Sequence, residues 1–445
     1  MTTALEDLLA GWIGRQRWFA GKGRAIDGVG IESDVELKSG DPGLRHLVLQ
    51  VHQAGARDRY QLLLGSRRSI PQRLQHARIG GGYYDAAHDH ELTGVLLEAM
   101  AQGADIGPLR FRAMEGVTIE TGLRSLVLGA EQSNTSLVYG EAYICKLFRR
   151  LVPGVNPEVE IVTALARRGS PHIAQPYGWF TTDIDGVDTT LAFMQRYLST
   201  ANDGWSLALA SVRDLYGYAH QPEIPASEVG GDFAAESRRL GIATARVHRE
   251  LAAAFPTGTL DPPEIKRMAE RLRARLDRTL LEVPELRGHE EVVHAAYDRL
   301  ADIDHPIIVQ RVHGDYHLGQ VMRTHTEWVV LDFEGEPGQP LEERRALDTP
   351  LRDVAGMLRS FDYASRHLLM DHPEGRILAS RAAEWSARNR AAFLDGYTEG
   401  GGRVHGDDAV LLRALEYAKA VYEVGYEARN RPTWLPIPLA AFTGR

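Results

Sequence analysis

Cysteine is nearly absent from the chain: Cys145 is the single one in 445 residues. One thiol cannot close an internal disulfide, which excludes a disulfide-stapled scaffold and fits a reducing, cytoplasmic setting. The sequence also lacks any run of 18 or more apolar residues, so no membrane-spanning helix is expected. Its start, "MTTALEDLLAGWIGRQRWFAGKGR", places acidic residues before a short apolar run and has no small-residue cleavage pattern, unlike a secretory leader. Positive charge is not in excess. With 51 Lys and Arg against 60 Asp and Glu the net charge is −9, which argues against nucleic acid or an anionic membrane as partner. Internal repeats and low-complexity linkers are missing too. What is present is an ordinary globular composition, 44% hydrophobic and 25% charged, in a chain too long for one core, so two or three structural units are expected.

Residues 1–90 read as mostly β. "HLVLQVHQAG" and "DRYQLLLG" are apolar runs with a polar, Gly-containing stretch between them, the pattern of a hairpin. "WIGRQRWFAGKGR" reads as a short helix and a Gly-rich turn whose tryptophans cap the sheet or dock elsewhere. Residues 91–201 begin with the helix "ELTGVLLEAM" and continue as strands through "SLVLGAEQSNTSLVYGEAYICKLFRR". The helix "NPEVEIVTALARRG" follows, with Asn156 as N-cap and Pro157 at the first helical position. Two further strands close this β-rich part. Residues 202–445 turn helical, with apolar residues at three- and four-residue spacing, interrupted by the short strands "PIIVQRVHGD" and "EWVVLDFEGEP".

Between and after those two strands the chain concentrates His313, Asp315, His317, Gln320 and Asp332. Gln320 and Asp332 offer hard oxygen ligands of the kind Mg²⁺ takes alongside phosphate oxygens. Asp315 is then left to accept a proton from a hydroxyl, the division of labour in phosphoryl transfer. Zinc fits poorly: the two histidines lie in a loop with no cysteine near and no H-E-x-x-H helix. A polar turn could explain His313 alone, but not the three oxygen-bearing side chains together. Lys146 sits on the strand "YICKLFRR", sharing a face with Ile144 and Phe148. An ammonium among apolar neighbours needs an anionic partner, and the phosphates of ATP would supply one. Glu160 on the next helix is the preferred carboxylate to hold Lys146, with Glu158 as competitor. The turn "GAEQSNTS" before the lysine strand, which includes Ser133, Asn134, Thr135 and Ser136, offers backbone N–H groups and hydroxyls that could cover phosphates.

The set Lys146, "HGDYHLGQ" and "DFEGEP" resembles the protein-kinase-like phosphotransferase fold, with Gln320 where that motif carries Asn. More narrowly, "RQRWFAG", "AEQSNTS", "GVNPEVE", "DFEGEPGQPLEERRALDTPLRDVAGMLRSFDYA" and "AVYEVGYEARNRPTWLPIPL" are similar to the bacterial maltokinases, over about residues 12 to 440. The resemblance implies an α+β, bilobal kinase-like fold: an extra N-terminal cap at 1–90, a β-rich nucleotide-binding part at 91–201, and a helical C-lobe at 202–445. It implies a cytoplasmic enzyme that uses ATP and Mg²⁺ to phosphorylate the anomeric hydroxyl of maltose for α-glucan synthesis. By motif, Asp315 is the base, Gln320 and Asp332 hold Mg²⁺, and Lys146 contacts ATP.

For the acceptor the C-terminal stretch "YEVGYEARNRPTWLPIPL" supplies Tyr422, Glu423, Tyr426, Arg431 and Trp434, aromatic faces and charged groups suited to a sugar. Core packing of both tyrosines, with Glu423 as a surface carboxylate, is the plain alternative. His317 is expected to support the site through Asp315, a sugar hydroxyl or its own loop. Asp348 and Asp353 read as structural, the latter able to bond the backbone of the catalytic loop, and "EERR" as a solvated face. One departure keeps glucosamine open as acceptor: Ala418 stands where an acidic residue is expected in a maltokinase, and Glu423 and Glu427 could meet an ammonium. A nucleotide-binding pseudokinase is the reading from a different class, and an antibiotic-modifying phosphotransferase a further one.

Overall fold

The structure is a computed structural model that describes residues 4–443 apart from 130–132, 219, 222, 230, 337, 371 and 373. The chain divides into two compact units, Met1–Ala166 with Ala174–Ser199, and Arg167–Ile173 with Thr200–Arg445.

The first unit is built on two antiparallel sheets. Strands Gly28–Lys38, Gly43–Gln53 and Ala56–Ser66 form a meander, and the hairpin expected from the sequence closes at Ala54 and Gly55. The helix at the N-terminus spans Ala4–Ile13 and ends before the Arg-Gln-Arg-Trp stretch, earlier than the sequence suggested. Trp12, Trp18 and Phe19 are buried with Tyr60 of the meander, the rings 5.3–5.9 Å apart, so this segment caps the sheet. Burial of several aromatic rings is a large apolar contribution, which explains why so short a segment stays folded against it. The second sheet has seven strands, with Tyr143–Leu147 between Thr135–Tyr139 and Val187–Arg196. Helix Pro157–Arg167 follows, and Asn156 caps it as expected: its Oδ1 accepts the Glu158 N–H at 2.8 Å.

Arg149 joins the two sheets. Its guanidinium is 1% exposed, donates to Asp85 at 2.6 Å and to Thr135 Oγ1 at 2.8 Å, and lies over the Trp18 ring. A charge this deep is tolerable because its donors are satisfied. Gln61 completes the join, donating from Nε2 to the Phe148 carbonyl at 2.9 Å.

The second unit is mainly helical, with long helices at Ala234–Ala254, Pro262–Glu282, Leu351–His367, Gly375–Glu399 and Asp407–Asn430. Two short strands, Val321–Arg323 and Trp328–Val330, pair as an antiparallel hairpin. Among the described residues no helix is long and apolar enough to cross a membrane.

Candidate active site

In the second unit the loop 310–320 is held from three sides. Asp353, on helix Leu351–His367, is fully buried and accepts the backbone N–H of His313 at 2.8 Å and of Gly314 at 2.9 Å. Its Oδ2 also meets His248 Nε2 at 3.1 Å, and His248 Nδ1 meets the Tyr397 hydroxyl at 2.9 Å. Burial pushes the Asp353 carboxyl up, but His248 and these donors outweigh it and hold it below the usual aspartate range. The backbone role expected of Asp353 is the one it has.

His313 is the second hold. Its Nε2 donates to the Leu331 carbonyl at 2.8 Å, and its Nδ1 accepts the Asp315 N–H at 3.3 Å. One imidazole thus fastens the loop to the strand that leads into Asp332, and the tautomer follows from the carbonyl it faces. The third hold is close packing. Gly314 has φ +86°, and a Cβ there would stand 3.3 Å from the Cα of Gly335. The H-G-D and D-F-E-G stretches therefore touch through their glycines.

Gln320 and Asp332 are brought together: Gln320 Nε2 donates to Asp332 Oδ2 at 3.0 Å. That orientation leaves the amide carbonyl oxygen for other partners. Asp332 adopts φ +61°, a conformation rare outside glycine that typically costs about 1–3 kcal/mol and concentrates at functional sites. A carboxylate and an amide oxygen on adjacent turns are hard donors, and the pair fits Mg²⁺. His317 is half-buried, and its Nδ1 accepts the Gly319 N–H at 3.0 Å, so it locks its own turn. Burial lowers its pKa, against the pull of Asp315.

Asp315 opens onto a cavity of about 590 Å³ within this unit. Lys419 and Tyr422 of the last long helix line it, as do Arg275, Arg352, Glu336 and Asp348. Lys419 Nζ lies 4.0 Å from Asp315 Oδ1. Sequence reasoning missed Lys419, although it is three residues before Tyr422 and so on the same helix face. Asp348 has the structural role expected of it, binding Arg352 and the Thr349 N–H at 2.7 Å each, and it also lines the cavity. The "EERR" run is only partly a solvated face, since Arg344 donates to the Glu334 carbonyl at 3.1 Å.

The other expected sugar ligands divide. Glu423 does not face the cavity: it is 9% exposed and accepts two bonds from the buried Arg359, at 2.9 and 2.7 Å. Glu427 is buried and binds Arg431 through both oxygens, at 2.8 and 2.9 Å. Tyr426, Arg431 and Trp434 lie farther along the chain and outside the cavity lining.

In the first unit Lys146 Nζ meets Glu158 Oε2 at 3.2 Å and lies 5.9 Å from the Phe148 ring centre. Glu158, ranked second on sequence grounds, meets the lysine, and it is buried. Residues two apart on a helix point to different faces, so local spacing could not choose between Glu158 and Glu160. Ser133 is exposed and Asn134 half-buried. Thr135 corrects the expectation of a phosphate-covering hydroxyl, because that hydroxyl accepts the Arg149 Nε proton in the buried joint between the sheets. Ser136 is likewise buried, and residues 130–132 of the same turn lie outside the described part.

Residues 122–400 match the phosphotransferase enzyme family. The chain belongs to that family. Within this phosphotransferase, residues 12–89 match the maltokinase N-terminal cap domain, the part built from the meander and its aromatic cap. A glucosamine kinase from Streptacidiphilus jiangxiensis is 32% identical over 349 residues, covering 74% of this chain and 75% of the relative. A glucosamine kinase from Mycolicibacterium smegmatis is 29% identical over 329 residues, covering 70% of this chain and 77% of the relative. The solved structure of a glucosamine kinase in complex with glucosamine, ADP and inorganic phosphate has a TM-score of 0.71 at 26% identity, covering 100% of this chain and 99% of the other. The α+β kinase-like architecture with an N-terminal cap is the one the sequence resemblance implied.

Proposed function

We propose that the chain is an ATP-dependent, Mg²⁺-dependent kinase that transfers the γ-phosphate to the anomeric hydroxyl of maltose, giving maltose 1-phosphate. The observation that carries the acceptor choice is the charge of the cavity at Asp315. Lys419 stands 4.0 Å from the carboxylate that would take the hydroxyl proton, and Arg271, Arg275 and Arg278 stand on the facing helix. Such a wall repels an ammonium and offers N–H donors to hydroxyl and ring oxygens. Glu423 and Glu427, the carboxylates an amino sugar would want, are already bound by Arg359 and Arg431. The volume of the cavity lies in the range of small-ligand sites. The match to the maltokinase N-terminal cap domain supports the same reading.

In this mechanism Asp315 accepts the proton of the attacking hydroxyl as the oxygen–phosphorus bond forms and the bond to the leaving ADP breaks. Loop rigidity from His313 and Asp353 keeps the carboxylate where the hydroxyl arrives. Lys146, steadied by Glu158, offsets phosphate charge. Gln320 and Asp332 would hold Mg²⁺, which when bound neutralises charge on the phosphate oxygens. Positioning and electrostatics supply most of the rate.

Glucosamine is the second reading, favoured by the names of the two relatives. The cavity offers an ammonium Glu336 and Asp348, but Arg352 lies 3.8 and 2.7 Å from them. A coupled ADP-release assay with ATP and Mg²⁺ against maltose, glucose and glucosamine decides. The expected result is the highest kcat/KM with maltose. Turnover with glucosamine alone would keep the kinase and overturn the acceptor, and ADP from none of them would overturn both.

A further inference from the structure

From the cavity wall an unbroken line of rings and one guanidinium runs along the end of the last long helix. Tyr422 lines the cavity, and Tyr426, one turn on, stacks near it at 6.4 Å and 26°. Arg431 follows, 5.5 Å from the Tyr426 ring and 4.2 Å from that of Trp434. His367 lies 4.9 Å from Trp434, and Trp205 5.8 Å from His367. Tyr422 and Tyr426 are 37% and 41% exposed, so part of each ring is open to a ligand.

The line is built. Arg431 is fixed in place by two bonds to the buried Glu427, whose Oε1 also accepts the Tyr363 hydroxyl at 3.0 Å. A held guanidinium between two rings gives a flat, donor-bearing floor. Ring faces pack on the C–H faces of sugars, and N–H donors meet their hydroxyls. Among the described residues the carboxylate beside this line, Glu427, is bound by Arg431.

We propose that this line is a glucan track: a linear malto-oligosaccharide longer than a disaccharide lies on Tyr426, Arg431 and Trp434, with its reducing end in the cavity at Asp315. The orientation rests on the reading that a glucose-based sugar is the acceptor. Commitment to a glucan comes from continuity with that cavity through Tyr422 and from the pairing of ring faces with donors.

The test is calorimetric titration of the full chain with maltose, maltotriose, maltohexaose and cellohexaose. Maltohexaose is expected to bind at least tenfold tighter than maltose, with cellohexaose weaker. Tyr426→Ala and Trp434→Ala should bring the ratio of maltohexaose to maltose affinity to near one, while Tyr426→Phe keeps it. A wild-type ratio near one, or a ratio unchanged in both alanine variants, would overturn the track. So would a dimer in sedimentation that either alanine variant dissolves, which assigns the face to a second copy. ADP release from maltose is measured in parallel. Release with flat binding sinks the track alone, and chain-length-dependent binding without release sinks the acceptor reading and keeps the track.

Discussion

Two regions of the second unit carry candidate chemistry, and they differ in what places their side chains. In the loop 310–335 the chain does the work locally: Asp315, Gln320 and Asp332 are joined by His313, by paired glycines and by the hairpin of strands Val321–Arg323 and Trp328–Val330. In the helix Asp407–Asn430 the buried carboxylates take partners far away in sequence, although Glu427 is also bound by Arg431 four residues on. Glu423 is claimed by Arg359 and Glu427 by Tyr363, each 64 residues distant. A motif read from the chain therefore groups residues that do lie together in the first region, and only some that do in the second.

The sharpest way to test the first region is Asp315→Asn. Loss of a positioned general base typically costs about 10²–10⁴ in rate. Turnover should fall by that factor with ATP affinity nearly intact; turnover within a few-fold of wild type would remove Asp315 as the base.

Glu423→Gln tests the contrast itself. If Glu423 contacted the sugar, the variant would raise the sugar KM and leave stability alone. The structure expects the reverse, because Arg359 is 1% exposed and would lose one of its two carboxylate partners, keeping only Asp362 at 2.7 Å. Breaking a buried pair from one side costs about 3–5 kcal/mol. Thermal unfolding should drop by several degrees, with the sugar KM of the folded fraction little changed. A stable variant with a raised KM would return Glu423 to the acceptor site.

What was legible follows from the same contrast. Asn156, the hairpin at 43–66 and the loop motif depend on neighbours within a few residues, and reading them along the chain sufficed. The choice between Glu158 and Glu160 depends on which helix face meets the lysine strand, which no local pattern encodes. Thr135 looked like a turn hydroxyl because its partner, Arg149, is fixed by the cap sheet through Asp85. Lys419 carries no motif of its own, because its place beside Asp315 is set by how the last long helix packs against the loop 310–320.

Lys419→Glu probes acceptor charge at a smaller scale. Reversing a charge 4.0 Å from Asp315 should shift preference from maltose toward glucosamine. At an effective dielectric typical of partly exposed sites, a pair at that distance is worth a few kcal/mol before screening by salt. A tenfold change in the ratio of kcat/KM values is the expected readout, shrinking in high salt. An unchanged ratio would detach Lys419 from the acceptor.

Asp353 gives a pH signature for the local region. Its carboxyl is held below the ordinary aspartate value of about 3.9, so its stabilisation is present above about pH 4 and is lost as pH falls through the depressed value. Wild-type melting temperature should fall on acidification in that window more steeply than that of Asp353→Asn. Parallel curves would mean that the loop is held by other groups.

The smallest effect is expected at Asn156→Ala. The Asn156 side chain caps the helix that carries Glu158, and removing such a cap costs about 1 kcal/mol. That corresponds to a shift of about 2–4 °C in a unit of this size. The useful measurement is whether the KM for ATP moves with it. Glu158 is the second residue of that helix, so fraying of the first turn would loosen its 3.2 Å contact with Lys146 before anything else. A raised ATP KM with an unchanged sugar KM would tie helix start, carboxylate and lysine into one device of the first unit. A stability loss with both constants unchanged would show that Lys146 holds its place without Glu158.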